Sequence, residues 1–340
     1  MSTAFRVGLT RDFLGPAGTP SYGDIGLGLL DAAGVRYEFL PQASAELRAD
    51  DVRGYDALLV LAPRVGAATL EVPERLLVVA RFGVGYDNVD VEACTRAGVA
   101  LTITPDGVRR PVAAAAMTLL LALSHKLLVK DRLTRSGRWG EKLAHMGTGL
   151  TGRTLGIIGF GNIGRELAKL ARVFDLRCVA HDPQVLLAED VVLMPLDDLL
   201  RAADFICVCC ALTPETHHLI NAQRLALMKP TAYLLNVARG PIVDQRALTR
   251  VLLARGIAGA GLDVFEQEPV DPADPILTLE NVIVAPHALC WTDECFRGIG
   301  TSACQSIIDV ASGRVPRYVV NRDVLDTPQF RAKFNRWALP

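Results

Sequence analysis

Thr154-Leu155-Gly156-Ile157-Ile158-Gly159-Phe160-Gly161-Asn162-Ile163-Gly164 decides how this chain is built. Residues 154–159 form a short apolar run, as a buried strand requires, and residues 163–174 carry a helical pattern. Between them stand three glycines at G-x-G-x-x-G spacing. Gly159 permits a tight turn, Gly161 lets phosphates approach the backbone, and Gly164 lets the helix pack close to the sheet. The amides at the helix start, Asn162 and Ile163, face such phosphates with the helix dipole behind them. The next apolar run ends in Val179-Ala180-His181-Asp182, a carboxylate 18 residues after Gly164. An acid at that place binds the ribose hydroxyls of a dinucleotide and repels a 2′-phosphate. No arginine follows at once, only Pro183 and Gln184. The spacing therefore predicts a dinucleotide site with NAD favoured over NADP.

Working outward, apolar runs of strand length fall at 5–10, 35–40, 57–61, 76–80 and 99–103, then at 154–159, 176–180, 205–211, 232–237, 258–263 and 282–285. Helical patterns alternate with them, which reads as βαβ units, an α/β fold with parallel sheets. Asp244 is a good N-cap for a helix over 245–254, and Thr292 or Asp293 for one reaching about 312. A long helix is predicted from Pro111 to about Arg135. Its stretch Val112–Leu123 is apolar on every side and so must be covered on every side, by a neighbouring domain or a second copy of the chain. A homodimer is the expectation. The tail after Asp326 is weakly patterned and reads as a loosely packed extension.

Bulk properties narrow the function. The 340 residues suit two domains, and half are apolar. With 36 basic and 37 acidic residues the chain offers no excess charge for nucleic acid. The longest apolar run, Val112–Leu123, falls short of the ~20 residues of a membrane span. The first residues lack the apolar core of a signal peptide. Eight cysteines, of which Cys207, Cys209 and Cys210 crowd one apolar strand, read as reduced thiols in a cytoplasmic protein, and no metal site is expected.

Three later runs each end in one reactive side chain: Leu234-Leu235-Asn236-Val237-Ala238-Arg239-Gly240, Gly261-Leu262-Asp263-Val264-Phe265-Glu266-Gln267-Glu268-Pro269, and Val282-Ile283-Val284-Ala285-Pro286-His287. Ligands of open parallel sheets bind beyond the carboxyl ends of the strands, so Arg239, Glu268 and His287 are expected at one crevice. A histidine can protonate a carbonyl oxygen as hydride arrives at the carbon. A carboxylate on its other nitrogen fixes the tautomer. An arginine grips a planar carboxylate with two parallel bonds.

These stretches, with Arg81-Phe82-Gly83-Val84-Gly85-Tyr86-Asp87-Asn88-Val89-Asp90, resemble the D-isomer-specific 2-hydroxyacid dehydrogenases over nearly the whole chain. The resemblance implies Arg239 as the substrate arginine, His287 as acid/base and Glu268, just before Pro269, as its partner; Glu266 does not match that role. It implies Asp263 at the nicotinamide carboxamide, Thr213 in the adenosine pocket, Val237 along the coenzyme, and the amides of Val84 and Gly85 on the substrate carboxylate. It also implies two Rossmann- or flavodoxin-like domains, the coenzyme domain inserted into the substrate domain: residues 1–105 plus 290–325 for substrate, 106–289 for NAD, and a tail at 326–340. The expected reaction is hydride transfer between NAD(H) and a 2-keto or D-2-hydroxy acid.

Four residues depart from the family pattern. Ala114 stands where a glutamate is usual, Trp291 follows the catalytic histidine, and Arg109-Arg110 replace smaller polar residues. Two cations at an expected helix start suggest an acidic or phosphorylated substrate, since a helix N-terminus disfavours positive charge. Within the same fold the rival is phosphite oxidation; outside enzymology it is an NAD-sensing corepressor. Formate oxidation is disfavoured, because that branch carries Gln at the position of Glu268.

Overall fold

The structure is a computed structural model and describes residues 4–337. The chain forms two compact units, one from the residues up to Val108 together with those from Trp291 onward, the other Arg109–Cys290.

The first unit holds β1 (Arg6–Leu9), β2 (Arg36–Phe39), β3 (Ala57–Val60), β4 (Val78–Arg81) and β5 (Ala100–Thr102), all parallel, in the order β2-β1-β3-β4-β5. β3, β4 and β5 are nearly continuous apolar runs because both of their faces are covered, with Leu58, Val60, Val79 and Leu101 buried on one side beside Cys94 and Val99, whereas the edge strand β2 is largely polar and partly exposed. The second chain segment supplies the helix Asp293–Ala311, capped by Thr292, whose Oγ1 accepts from the Cys295 amide at 3.1 Å. Gly300 permits it to lie against the loop before Leu27, since a Cβ there would stand 2.0 Å from the Ile25 carbonyl oxygen.

The tail is packed as far as Trp337, and its last three residues lie outside those described. Pro328–Phe334 is a helix with Phe330 buried, and Trp337 packs edge-on against Phe5 at 4.9 Å. Lys333 is 7% exposed and donates to the carbonyls of Leu76 (2.7 Å) and Ala97 (2.9 Å). The sequence hid this anchor because a lysine counts as polar, whereas here its amine closes carbonyls beside the starts of β4 and β5.

The second unit holds β6 (Thr154–Ile158), β7 (Arg177–His181), β8 (Val192–Leu193), β9 (Phe205–Val208), β10 (Tyr233–Asn236), β11 (Gly259–Leu262) and β12 (Val282–Val284) in the order β12-β11-β10-β9-β6-β7-β8, all parallel. The order reverses between β6 and β9, the switch point at which such sheets bind ligands. The two-residue β8 escapes pattern reading because it is too short to show a period.

The long helix differs from its expectation. It runs Pro105–Ser124, with Pro111 inside, and a second helix follows at Leu127–Arg135. At the break the Ser124 carbonyl accepts from Thr148 N at 2.7 Å, a partner distant in sequence, and Lys126 takes a left-handed backbone. With the added first turns this helix is long and apolar enough to cross a membrane by length and composition, yet 61% of that window is buried. Ala113, Ala116, Met117, Leu119, Leu120 and Leu123 pack into one core with Leu155, Ile157 and Phe205, so it is a core helix.

Candidate active site

At the carboxyl end of β6 the glycine turn is built by sterics. Gly159 has φ +91°, and a Cβ on it would lie 2.5 Å from the Cys210 amide nitrogen, across the switch point. A Cβ on Gly164 would lie 2.3 Å from the Gly159 carbonyl oxygen, so that glycine sets how closely the helix Asn162–Arg172 approaches the strand. Gly161 has open space where its side chain would be. Asp182, at the end of β7, accepts from Phe160 N at 2.8 Å and from Gln184 N at 2.9 Å, which ties the carboxylate to the turn. An open glycine cradle, the amides of a helix start and a carboxylate one strand away fit a dinucleotide. Thr213 opens the loop after β9, where its amide donates to Thr216 Oγ1 at 2.7 Å.

Arg239, Glu268 and His287 follow β10, β11 and β12, three neighbouring strands. Asn236, buried at the end of β10, accepts from Ala238 N at 3.1 Å and donates to the Arg239 carbonyl at 2.9 Å, so the arginine sits on a braced turn. Val237 is half-buried beside it. Glu268 Oε1 accepts from Phe265 N at 3.0 Å, which leaves Oε2 for His287 Nδ1 at 2.7 Å. Burial works to raise the Glu268 pKa; the His287 bond, the Phe265 amide and the Arg239 charge outweigh it and hold the carboxyl below its ordinary value. His287 has φ +54°, a backbone that histidine tolerates better than most residues. Its amide donates to the Asp263 carbonyl at 2.8 Å. The Asp263 carboxylate is buried and accepts from Ala288 N at 3.0 Å and Leu289 N at 3.1 Å. Burial pushes its pKa up, against the pull of those two amides. Asp263 thus holds the turn that aims His287, a bracing role, like that of Asn236, that spacing alone did not show.

In the first unit, Val84 and Gly85 are half-buried on the loop after β4. The loop turns at Gly83, φ +136°, which exchanges backbone and side-chain hydrogen bonds with Thr104: Gly83 N donates to Thr104 Oγ1 and Thr104 N to the Gly83 carbonyl, both at 3.0 Å. Phe82, just before it, packs against Phe13 at 5.0 Å and Phe296 at 5.9 Å. Trp291, half-exposed, joins the same cluster through Tyr22 at 5.6 Å and Phe296 at 5.4 Å.

The two arginines have another explanation than substrate. Arg110 reaches Glu166 Oε1 at 3.0 Å and Arg109 reaches Oε2 at 3.9 Å, around a carboxylate 13% exposed. Both lie in the second turn of a helix that starts at Pro105. They neither crowd a helix start nor lack an anion, so the ground for an acidic substrate falls away. Ala114 is exposed on that helix.

Comparison with known proteins agrees with this architecture. Residues 117–288 match the model of the D-isomer specific 2-hydroxyacid dehydrogenase NAD-binding domain. A glyoxylate reductase of Thermococcus onnurineus is 40% identical over 296 residues, 84% of this chain and 88% of that protein. One of Korarchaeum cryptofilum is 39% identical over 284 residues, 81% and 85% of the two chains. Among solved structures, the TT0316 protein of Thermus thermophilus superposes with TM-score 0.80 at 33% identity over 93% of this chain and 100% of its own. A glyoxylate reductase of Paecilomyes thermophila gives TM-score 0.80 at 26% identity over 94% and 100%. Such identity across both units places the chain in the D-isomer specific 2-hydroxyacid dehydrogenases, as an NAD-dependent oxidoreductase of that family.

Proposed function

We propose that the chain reduces a small 2-keto acid, glyoxylate first among the candidates, to its 2-hydroxy acid. The hydrogen-bonded pair of His287 and Glu268, beside a positive Arg239, carries the reading. NADH, when bound, supplies the hydride. Gly159, Gly161, Asn162, Ile163 and Gly164 would hold its pyrophosphate, Asp182 its ribose, and Thr213, Val237 and Asp263 the flanking surfaces. Glu268 fixes the His287 ring through Nδ1, which leaves Nε2 to deliver a proton to the substrate oxygen. Arg239 polarises the carbonyl and, with the amides of Val84 and Gly85, orients the substrate carboxylate. Glyoxylate is favoured because two relatives near 40% identity carry that activity in their names. A panel of 2-keto acids with NADH tests this. Best kcat/KM on glyoxylate or hydroxypyruvate supports it; best kcat/KM on a dicarboxylic or phosphorylated acid, or turnover of phosphite alone, overturns it.

A homodimer remains part of the proposal, on different ground. The helix Pro105–Ser124 is mostly covered by its own chain, but Leu127, Leu128, Trp139, Leu143 and Met146 just after it are 47–78% exposed. Apolar surface in that quantity suits a second copy. Light scattering should give twice the 36.6 kDa of one chain; a monomer at high concentration removes the idea.

A further inference from the structure

The carboxyl end of the second sheet holds another histidine–glutamate pair. His218 Nε2 is hydrogen-bonded to Glu266 Oε1, and His217 stacks on His218 at 4.1 Å. His218 belongs to the loop after β9 that begins near Thr213. Among the described residues it is one of few besides glycine with a left-handed backbone, φ +49°. Its own amide donates to the Pro241 carbonyl at 2.8 Å, in the turn that follows Arg239.

Glu266 lies two residues before Glu268, and its loop is held from three sides. Its amide donates to Gln245 Oε1 at 3.1 Å, and Gln245 Nε2 donates in turn to Asp274 at 2.7 Å. Gly240 touches Phe265 so closely that a Cβ would stand 1.8 Å from the Phe265 carbonyl oxygen. His218 is the third hold and the only one of the three made by the Glu266 side chain. What these contacts fix is the Phe265 amide, which sets Glu268 Oε1 and thereby aims Oε2 at His287. A shift of ~1 Å in such an arrangement costs on the order of 10²-fold in rate.

We propose that His218 is a positioning residue: through Glu266 it keeps the Glu268 loop in register with His287, and so ties the Thr213 loop to the acid/base pair. The proposal rests on the assignment of Glu268 and His287 given under Proposed function. Its test is a set of purified variants with kcat and KM measured for NADH and the best keto acid. His218→Asn keeps a residue that accepts a left-handed backbone but cannot reach Glu266. It should lower kcat about 10-fold with both KM values within about twofold. Glu266→Ala should do the same, and the double variant should be no slower than either single one, because both break one contact. His218→Gln, which brings an amide N–H to the same oxygen, should recover most of the turnover. Full kcat in His218→Asn, or losses that multiply to about 100-fold in the double variant, overturns the proposal. If those variants are normal while His287→Ala is inactive, only this proposal fails. If His287→Ala itself turns over normally, the acid/base assignment fails and this proposal with it.

Discussion

The two sheets share a plan and differ in what they present. Both are all-parallel, and both place loops beyond the carboxyl ends of their strands. The second sheet ends in ionisable groups on neighbouring strands, Arg239, Glu268 and His287, each braced by a buried polar residue or a backbone amide. The first ends, after β4, in a glycine-turned loop at Val84 and Gly85, beside the aromatic rings of Phe13, Tyr22, Phe82, Trp291 and Phe296. One scaffold thus supports two kinds of surface: ionisable side chains on one, a glycine turn and aromatic rings on the other. The teaching is that the fold fixes where a site can be, while the loop residues decide what it does.

The comparison breaks first at the acid/base pair. His287→Ala and Arg239→Ala should fold and lose on the order of 10²–10⁴-fold in kcat/KM. Near-normal turnover in folded variants would mean that the second sheet does not carry the chemistry. Next in size is a steric test of how tightly its loops are joined. Gly240→Ala drives a methyl into the Phe265 carbonyl and should cost about 1–3 kcal/mol, roughly 2–10 °C in melting temperature. An unchanged melting curve would show that the Arg239 and Glu268 loops yield independently.

Coenzyme choice is a smaller effect. Parent enzyme should prefer NADH to NADPH, and Asp182→Ala should narrow the ratio of kcat/KM values about tenfold, equivalent to ~1.4 kcal/mol. A parent that uses NADPH equally well would rule out the carboxylate as discriminator. The last test concerns the first unit alone. Burial, helped by the Arg336 charge, pushes the Lys333 amine down to about 8, below the ~10.4 of an unfolded chain. Between those values the unfolded state binds more protons, so this group's contribution to stability rises with pH across the window and is flat below it. Urea unfolding from about pH 7.5 to ~10.4 should show the parent gaining up to ~3 kcal/mol on Lys333→Met. A parent that loses ground to the variant would show that the carbonyls of Leu76 and Ala97 favour the ammonium more than burial disfavours it.

Most of the fold was legible because buried parallel strands are written as apolar runs; eleven were read so, and only β8, two residues long, was not. Helix ends were less legible. The stop at Ser124 depends on Thr148, and nothing local to residues 121–128 encodes that partner. The packed tail was missed because its anchor Lys333 is a polar residue satisfied by distant backbone. In the candidate site, Glu268 and His287 stood out by motif, as did the glycine turn. His218 did not: its partner lies 48 residues away, and a histidine followed by Leu219-Ile220 reads as ordinary loop-to-core packing.

The interrupted first unit has a consequence for how the protein is made. Asn321 accepts from Leu101 N at 2.8 Å and donates to the Val99 carbonyl at 3.0 Å, contacts that span 220 and 222 residues of chain. At about 5–20 residues per second of synthesis, β5 leaves the ribosome roughly 10–40 s before the segment that completes its edge. The inserted second unit is contiguous and can finish folding in that interval. A nascent chain therefore carries a finished coenzyme-type domain behind a five-stranded sheet still waiting for its last helix, and that is when it most needs protection from aggregation.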